Sequence, residues 1–298
     1  MGTKSTIKAE KREATVEILR AGKLARVSWL VHGFSTRLRP GRAAKPSAAK
    51  NGFNLGFTEG TPRADVERNR RDFLAALDGQ ARPWTLVQVK QVHSDIIHVL
   101  DAAPAHPLSG DGLITGAPGL MLAVKTADCV PVLIADAVRR VVGAFHAGWR
   151  GTAKRVVEKG VGILRRDFGS DPHDLRAAIG PSIRACCYAV GDEVREQFDS
   201  QFAYAGDLFV EHFDVDPVRQ KYPNLFLTAR APGHAEISRQ LHLDLAAANR
   251  RQLLDAGVPD ANIGVLPFCT ACRTDLLFSH RAEHGHTGRM MAAIGIRQ

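Results

Sequence analysis

Two histidines and one cysteine sit at the ends of strand-like runs. They are His93 in Gln88-Val-Lys-Gln-Val-His93, Cys129 in Thr126-Ala-Asp-Cys-Val-Pro131, and His146 in His146-Ala-Gly-Trp-Arg-Gly151. Two imidazoles and a thiolate suit zinc, and three protein ligands leave a fourth position for water or substrate, which is the pattern of a catalytic site. A cysteine beside an apolar strand is more often a packing residue. The polar Thr-Ala-Asp-Cys turn favours a thiolate instead, whose pKa a metal or a cationic neighbour would lower. Asp128 could orient a ligand, move a proton or brace the turn.

Arg150 follows His146 at the start of a helical pattern, where free N–H groups and the helix dipole favour an anion. Gly148 and Gly151 would let the backbone approach a phosphate, while pairing of Arg150 to a carboxylate is the competing reading. Cys269-Thr-Ala-Cys272 is a single CxxC, one pair short of a four-cysteine zinc site, with no redox βαβ context. Cys186-Cys187 would point to opposite faces of an extended strand, so the vicinal pair is not expected to act together. His284-Gly-His286 is the one HxH in the sequence, whereas multicopper oxidation needs several such pairs and a Cys/His/Met copper site.

The elements that must carry these groups follow from periodicity. Trp29–Thr36, Trp84–Val89, Ile96–Leu100, Gly112–Thr115, Leu120–Lys125, Val130–Ala135 and Arg140–Phe145 read as short strands separated by Gly, Pro and Asp. Val142, Ala144 and His146 share one strand face, because side chains alternate. Apolar spacing predicts helices over Val66–Leu77, 152–168, Asp192–Phe202 and Leu241–Ala256, with further strands at Leu175–Ile179 and Ile263–Leu266. The Pro/Gly/Ala/Lys-rich stretch from Arg37 to Asn51 reads as a loop, and Ala203–Ser238 gives no clear pattern.

A chain of 298 residues with 45% hydrophobic and 24% charged residues can bury a sizeable core. Residues 1–26 read as a basic N-terminal extension without the apolar centre of a signal peptide, and 27–298 as a single domain. No run approaches the roughly 20 apolar residues of a membrane span, and five cysteines without a disulfide framework point to the cytoplasm. The net charge of +9 favours anionic partners. The cations are dispersed and no basic motif is interleaved with aromatics, so a nucleic-acid partner is not expected, and a non-catalytic basic binding module is the rival reading from a different class.

The order Gln91-Val-His93, Asp111-Gly-Leu-Ile-Thr115, Thr126-Ala-Asp-Cys129-Val-Pro and His146-Ala-Gly-Trp-Arg-Gly-Thr152 resembles the laccase-domain purine nucleoside phosphorylase family. That family was formerly termed polyphenol oxidase and is also known as the peptidoglycan-editing-factor family. His32-Gly-Phe-Ser-Thr-Arg37, Asn54-Leu-Gly56, Asn69-Arg70, Ile179-Gly-Pro-Ser-Ile183, Tyr188-Ala-Val190 and Thr287-Gly-Arg-Met290 extend the match from about residue 30 to 296. The resemblance implies an α+β fold, a four-layer α/β/β/α sandwich with mixed β-sheets. It also implies that His93, Cys129 and His146 are both the zinc ligands and the catalytic residues, copper being the less favoured metal.

The implied reactions are phosphorolysis of adenosine, inosine and methylthioadenosine, together with adenosine deamination. Purine nucleosides and phosphate are then the partners, with Arg37, Asn54, Arg70 and Arg150 as substrate-binding candidates. Laccase-like polyphenol oxidation and hydrolytic editing of peptidoglycan precursors are the alternatives attributed to relatives. Two departures stand out. The family's Phe-Phe-Ser-Tyr-Arg-Arg run is here Leu277-Phe-Ser-His280-Arg-Ala282, and the loop after Arg37 is basic and lacks the usual double glycine.

Overall fold

The computed structural model describes residues 18–39, 52–78, 83–213 and 239–298. Two sheets lie face to face. The first has the order β1 (Leu30–Phe34), β13 (Met290–Ile296), β5 (Leu120–Thr126), β2 (Thr85–Val87). The second runs β12 (Ile263–Val265), β8 (Leu175–Ile179), β6 (Val130–Asp136), β7 (Val141–Ala147), β4 (Gly112–Thr115), β3 (Ile97–Val99). Both mix parallel and antiparallel pairs.

Strands covered on both faces need apolar side chains at odd and even positions alike, which is why β5 and β6 read as continuous apolar runs. Alternation then divides each strand between two cores. Leu120, Leu122 and Val124 of β5 meet Leu133 and Ala135 of β6 and Val142 and Ala144 of β7 between the sheets. Met121 and Ala123 face the other way, onto Phe73 and Leu77 of α2 (Arg63–Asp78). Val132 and Ile134 of β6 pack with four further helices. These are α3 (Trp149–Ala153), α4 (Val156–Phe168), α5 (Asp192–Gln201) and α6 (Leu245–Asp255). The layers are therefore α/β/β/α, as expected.

A small sheet of β10 (Phe209–Phe213), β11 (Arg239–Leu243) and β9 (Ala189–Val190) joins the outer helical layer through Phe209, Leu241 and Leu243. Its presence corrects the helix expected over Leu241–Ala256. Residues up to Leu243 are a strand paired with β10 and β9, and α6 starts only after Asp244, whose carboxylate accepts from Ala247 N at 2.9 Å.

The helix expected over 152–168 is also interrupted, by Arg155 at φ 63°. Thr152 is fully buried there. Its carbonyl accepts from Gln252 Nε2 at 2.8 Å and its hydroxyl from Asn249 Nδ2 at 3.0 Å, so tertiary bonds claim the groups at which the two helical pieces separate.

The basic extension expected over 1–26 lies outside the described residues as far as 17. From 18 onward the chain is built into the sandwich. Leu19 forms a bridge with Phe34, and the short helix α1 (Gly22–Ala25) buries Leu24 completely. Of the segment 203–238, residues 214–238 lie outside the description, as does most of the loop after Arg37. Among the described residues, no helix is long and apolar enough to cross a membrane.

Candidate metal centre and its cavity

Strand register brings the site together. In the antiparallel β6–β7 pair, Val130 lies opposite Ala147 and Pro131 opposite His146, so Cys129, one residue before β6, arrives beside His146. In the β4–β7 pair Gly112 lies opposite Phe145, which puts Asp111 beside His146 from the other side. His93 precedes β3, the parallel neighbour of β4. The Nε2 or Nδ1 atoms of His93 and His146 and the Sγ of Cys129 all fall within 4.8 Å of one another. Cys129 Sγ lies 3.8 Å from His93 Nε2, and the two imidazoles cross edge to face at 5.0 Å.

Asp111 lies in one of the quoted motifs, but the sequence assigned it no role. Its carboxylate is fully buried and accepts from His146 Nδ1 at 2.8 Å, His93 N at 3.1 Å, Ser94 N at 2.6 Å and Ser94 Oγ at 2.7 Å. Burial opposes its charge, but the hydrogen bonds from His146 and Ser94 outweigh that and hold the carboxyl well below the usual carboxylate range. An ionised Asp111 holds a proton on His146 Nδ1, so Nε2 is the nitrogen that could ligate once a metal displaces its own proton. This is the orientation that carboxylate–histidine–metal triads impose.

Burial also opposes the Cys129 thiolate. The charge and hydrogen bond of His146, assisted by His93, overcome it and bring Cys129 down to about 6. Burial likewise disfavours charge on His146, while Cys129 and Asp111 lift it to about 9. A thiolate beside an oriented imidazole is the donor chemistry that zinc takes. Gly148 leaves room for it, since a Cβ there would come within 3.0 Å of Cys129 Sγ and 2.9 Å of His93 Cδ2. His93 at φ 57° and Asp128 at φ 92° both sit in the left-handed region, backbone strain of the kind that gathers at functional sites.

Asp128 braces the turn. One carboxylate oxygen accepts from Thr270 Oγ1 at 2.6 Å and the other from Arg281 N at 2.7 Å.

The three groups face a cavity of about 380 Å³ at the point where the chain crosses from β5 in one sheet to β6 in the other. Lys90, Lys125, Arg289, Phe57 and His280 contribute to its lining. Burial lowers the pKa of Lys125, with the charges of Arg70 and Arg289 adding to the effect. Burial also lowers that of Arg289, with Cys129 and Asp128 opposing. Among the described residues neither Lys125 nor Arg289 forms an ion pair, in contrast to Arg37, which pairs with Glu283 at 3.2 Å. Two desolvated cations on one wall make the cavity a place for an anion.

The four residues expected at the substrate do not line this cavity. Arg37 is tied to Glu283 and to Thr274 O and lies over Phe278. Asn54 is completely buried. It donates to Thr58 and Thr61 and accepts from Gly56 N and Arg289 N, so it shapes the cavity wall from behind. Arg70 holds Leu55 O at 2.9 Å and stacks on Phe57. Arg150 is exposed and lies over Trp149 at 4.3 Å.

The cysteine expectations change as well. Cys187 N and Tyr188 N both donate to Arg184 O, so 184–188 is a tight turn and not an extended strand. Both vicinal thiols therefore turn to one side. Cys186 and Cys187 reach Cys272 Sγ at 3.5 and 3.3 Å, and Cys269 completes the group.

An α/β/β/α sandwich carrying a His-Cys-His group at a strand crossover defines the class. Within it, the chain belongs to the family described as multi-copper polyphenol oxidoreductase laccase, whose profile matches residues 31–297. It is 37% identical over 278 residues, 90% of each chain, to a Geobacillus stearothermophilus protein named purine nucleoside phosphorylase YlmD. A protein of an unknown prokaryotic organism named adenosine deaminase RL5 is 35% identical over 218 residues, 70% of this chain and 74% of its own. The crystal structure of YlmD from Geobacillus stearothermophilus superposes with a TM-score of 0.72 at 31% identity, covering 95% of this chain and 99% of that one. Among the described residues, the two groups of side chains that could hold a metal are His93/Cys129/His146 and the four cysteines. His284 and His286 belong to neither.

Proposed function

We propose that this protein is a zinc-dependent purine nucleoside phosphorylase acting on adenosine, inosine and methylthioadenosine, with adenosine deaminase activity in the same cavity. The observation that carries the reading is one cavity holding both a His-Cys-His group and an unpaired cationic wall of Lys125 and Arg289. The names of the relatives supply the nucleoside class, and the cavity's volume is in the range of small-molecule sites.

His93, Cys129 and His146 would hold the zinc, which when bound supplies Lewis-acid activation of water. Asp111 keeps His146 in the ligating tautomer. Lys125 and Arg289 bind phosphate and present it to the anomeric carbon as the glycosidic bond breaks, replacing Arg150 in that role. Phe57, with Arg70 and Arg63 over its ring, offers an exposed aromatic side chain for the purine. The departure at His280 falls on the cavity rim, where it bears on substrate preference. Five cysteines, all unpaired, suit a reducing compartment such as the cytoplasm.

The test is incubation of the zinc-loaded protein with adenosine, with and without phosphate. Adenine and ribose 1-phosphate establish phosphorolysis, and inosine with ammonia establishes deamination. Turnover of a UDP-linked aminoacyl sugar, with adenosine left unchanged in both incubations, would overturn the reading in favour of an editing hydrolase.

A further inference from the structure

The vicinal Cys186-Cys187 and the CxxC of Cys269 and Cys272 take no part in the chemistry above, yet two turns distant in sequence bring them together. Ser182 and Cys269 form a β-bridge, with Ser182 N donating to Phe268 O at 3.3 Å and Thr270 N to Ser182 O at 3.1 Å. Arg273 N donates to Cys269 O at 3.1 Å, curling the CxxC into a knuckle. All four sulfurs lie within 4.8 Å of one another. Tetrahedral zinc with Zn–S bonds near 2.3 Å sets its sulfurs about 3.8 Å apart. The observed contacts of 3.3 and 3.5 Å are close to that spacing, and far from the roughly 2.0 Å of a disulfide.

Polar groups converge on the cluster: backbone N–H groups of Cys272 and Arg184 point at Cys269. Arg184, itself desolvated, lies within electrostatic reach of Cys269 and Cys186 and donates to Leu266 O at 2.5 Å. The geometry points to a second metal centre, a closed zinc tetrathiolate of Cys186, Cys187, Cys269 and Cys272. Four thiols release four protons on binding one Zn²⁺, leaving a net charge of −2 that Arg184 and the backbone donors offset. With four protein ligands no position stays open, so the role is structural. It would staple the 182–188 and 268–272 turns, which hold the Asp128 turn from both sides through Ile183 N to Asp128 O and Thr270 Oγ1 to Asp128 Oδ1.

Metal content and thiol protection test this without reference to turnover. The His93→Ala/His146→Ala variant, purified without added metal chelator, is expected to retain about one zinc per chain. Loaded with Co²⁺, it should show intense sulfur-to-cobalt charge transfer and tetrahedral d–d bands. Adding Cys186→Ser and Cys272→Ser should abolish both. In the unaltered protein, Cys186 and Cys272 are exposed, so free thiols there would be open to alkylation. Iodoacetamide should instead label them more than about tenfold faster after zinc is stripped than before. The proposal is overturned if the His93→Ala/His146→Ala variant holds no zinc, or if labelling is equally fast before and after stripping. A mass about 2 Da lower in anaerobically purified protein, showing a Cys272 disulfide in place of metal, would overturn it as well.

Discussion

At the scale of single residues, the candidate site depends on a carboxylate outside the His-Cys-His group. Asp111 satisfies the backbone of the His93 loop and fixes the tautomer of His146 at once. Asp111→Asn keeps the shape, but it loses one acceptor oxygen and turns an N–H₂ toward existing donors. Zinc affinity measured by competition with a chromophoric chelator should fall about 10- to 100-fold, and an unchanged affinity would remove Asp111 from the site. His93, Cys129 and His146 were legible because each lies in a short motif at a strand end. Asp111 was not, since an aspartate before a glycine reads as a turn until the β4–β7 register puts it beside His146. Lys125 was hidden for a similar reason, as one half-buried position in an otherwise buried strand. Lys125→Ala and Arg289→Ala should each raise the KM for phosphate about 10- to 100-fold, the size of a lost charge-assisted hydrogen bond. Adenosine deamination, which uses water, should change far less. Equal loss of both activities would place phosphate elsewhere.

At the scale of elements, the strands in the middle of the chain were legible, whereas β9, β10, β11 and β13 were not read as strands. Two-sided burial made β5 and β6 continuous apolar runs, whereas α4 and α6 are bounded by tertiary bonds that periodicity does not contain. Helix α4 also shows packing overruling propensity. Gly160 lies against β7, where an added Cβ would come within 2.4 and 2.5 Å of the Phe145 ring, itself fully buried. Gly162 has nothing within 4 Å of the same position. Alanine is favoured over glycine in a helix interior by about 1 kcal/mol, while overpacking a closed core costs about 1–3 kcal/mol. Gly162→Ala should therefore raise the urea midpoint, and Gly160→Ala should lower it despite the identical change in propensity. If both variants gain stability, the α4–β7 contact is looser than described.

At the scale of the whole molecule, the N-terminal segment closes one edge of the sandwich, and that closure is sensitive to acid. Leu24 is wholly buried, Leu19 pairs with Phe34, and Arg20 donates to Leu77 O and His32 O, both at 2.7 Å. His32, only 1% exposed, sits at the joint and accepts from Ala21 N at 3.0 Å through Nε2. Burial, then the charge of Arg20, lowers its pKa from 6.5 to about 4. An N–H aimed at Nε2 requires the unprotonated nitrogen, which favours the same neutral form. In the unfolded chain His32 takes up its proton near pH 6.5, in the folded one only near 4. Between those values the unfolded state binds more protons, so stability rises with pH and is lost as pH falls through that window. The shift corresponds to about 3 kcal/mol. Urea unfolding should therefore show stability declining by about that amount between pH 7 and pH 4. His32→Gln can still accept from Ala21 N and does not titrate, so it should lack that part of the decline. Parallel pH profiles for the two proteins would show that the acid sensitivity arises elsewhere, with the His146–Asp111 pair the next group to examine.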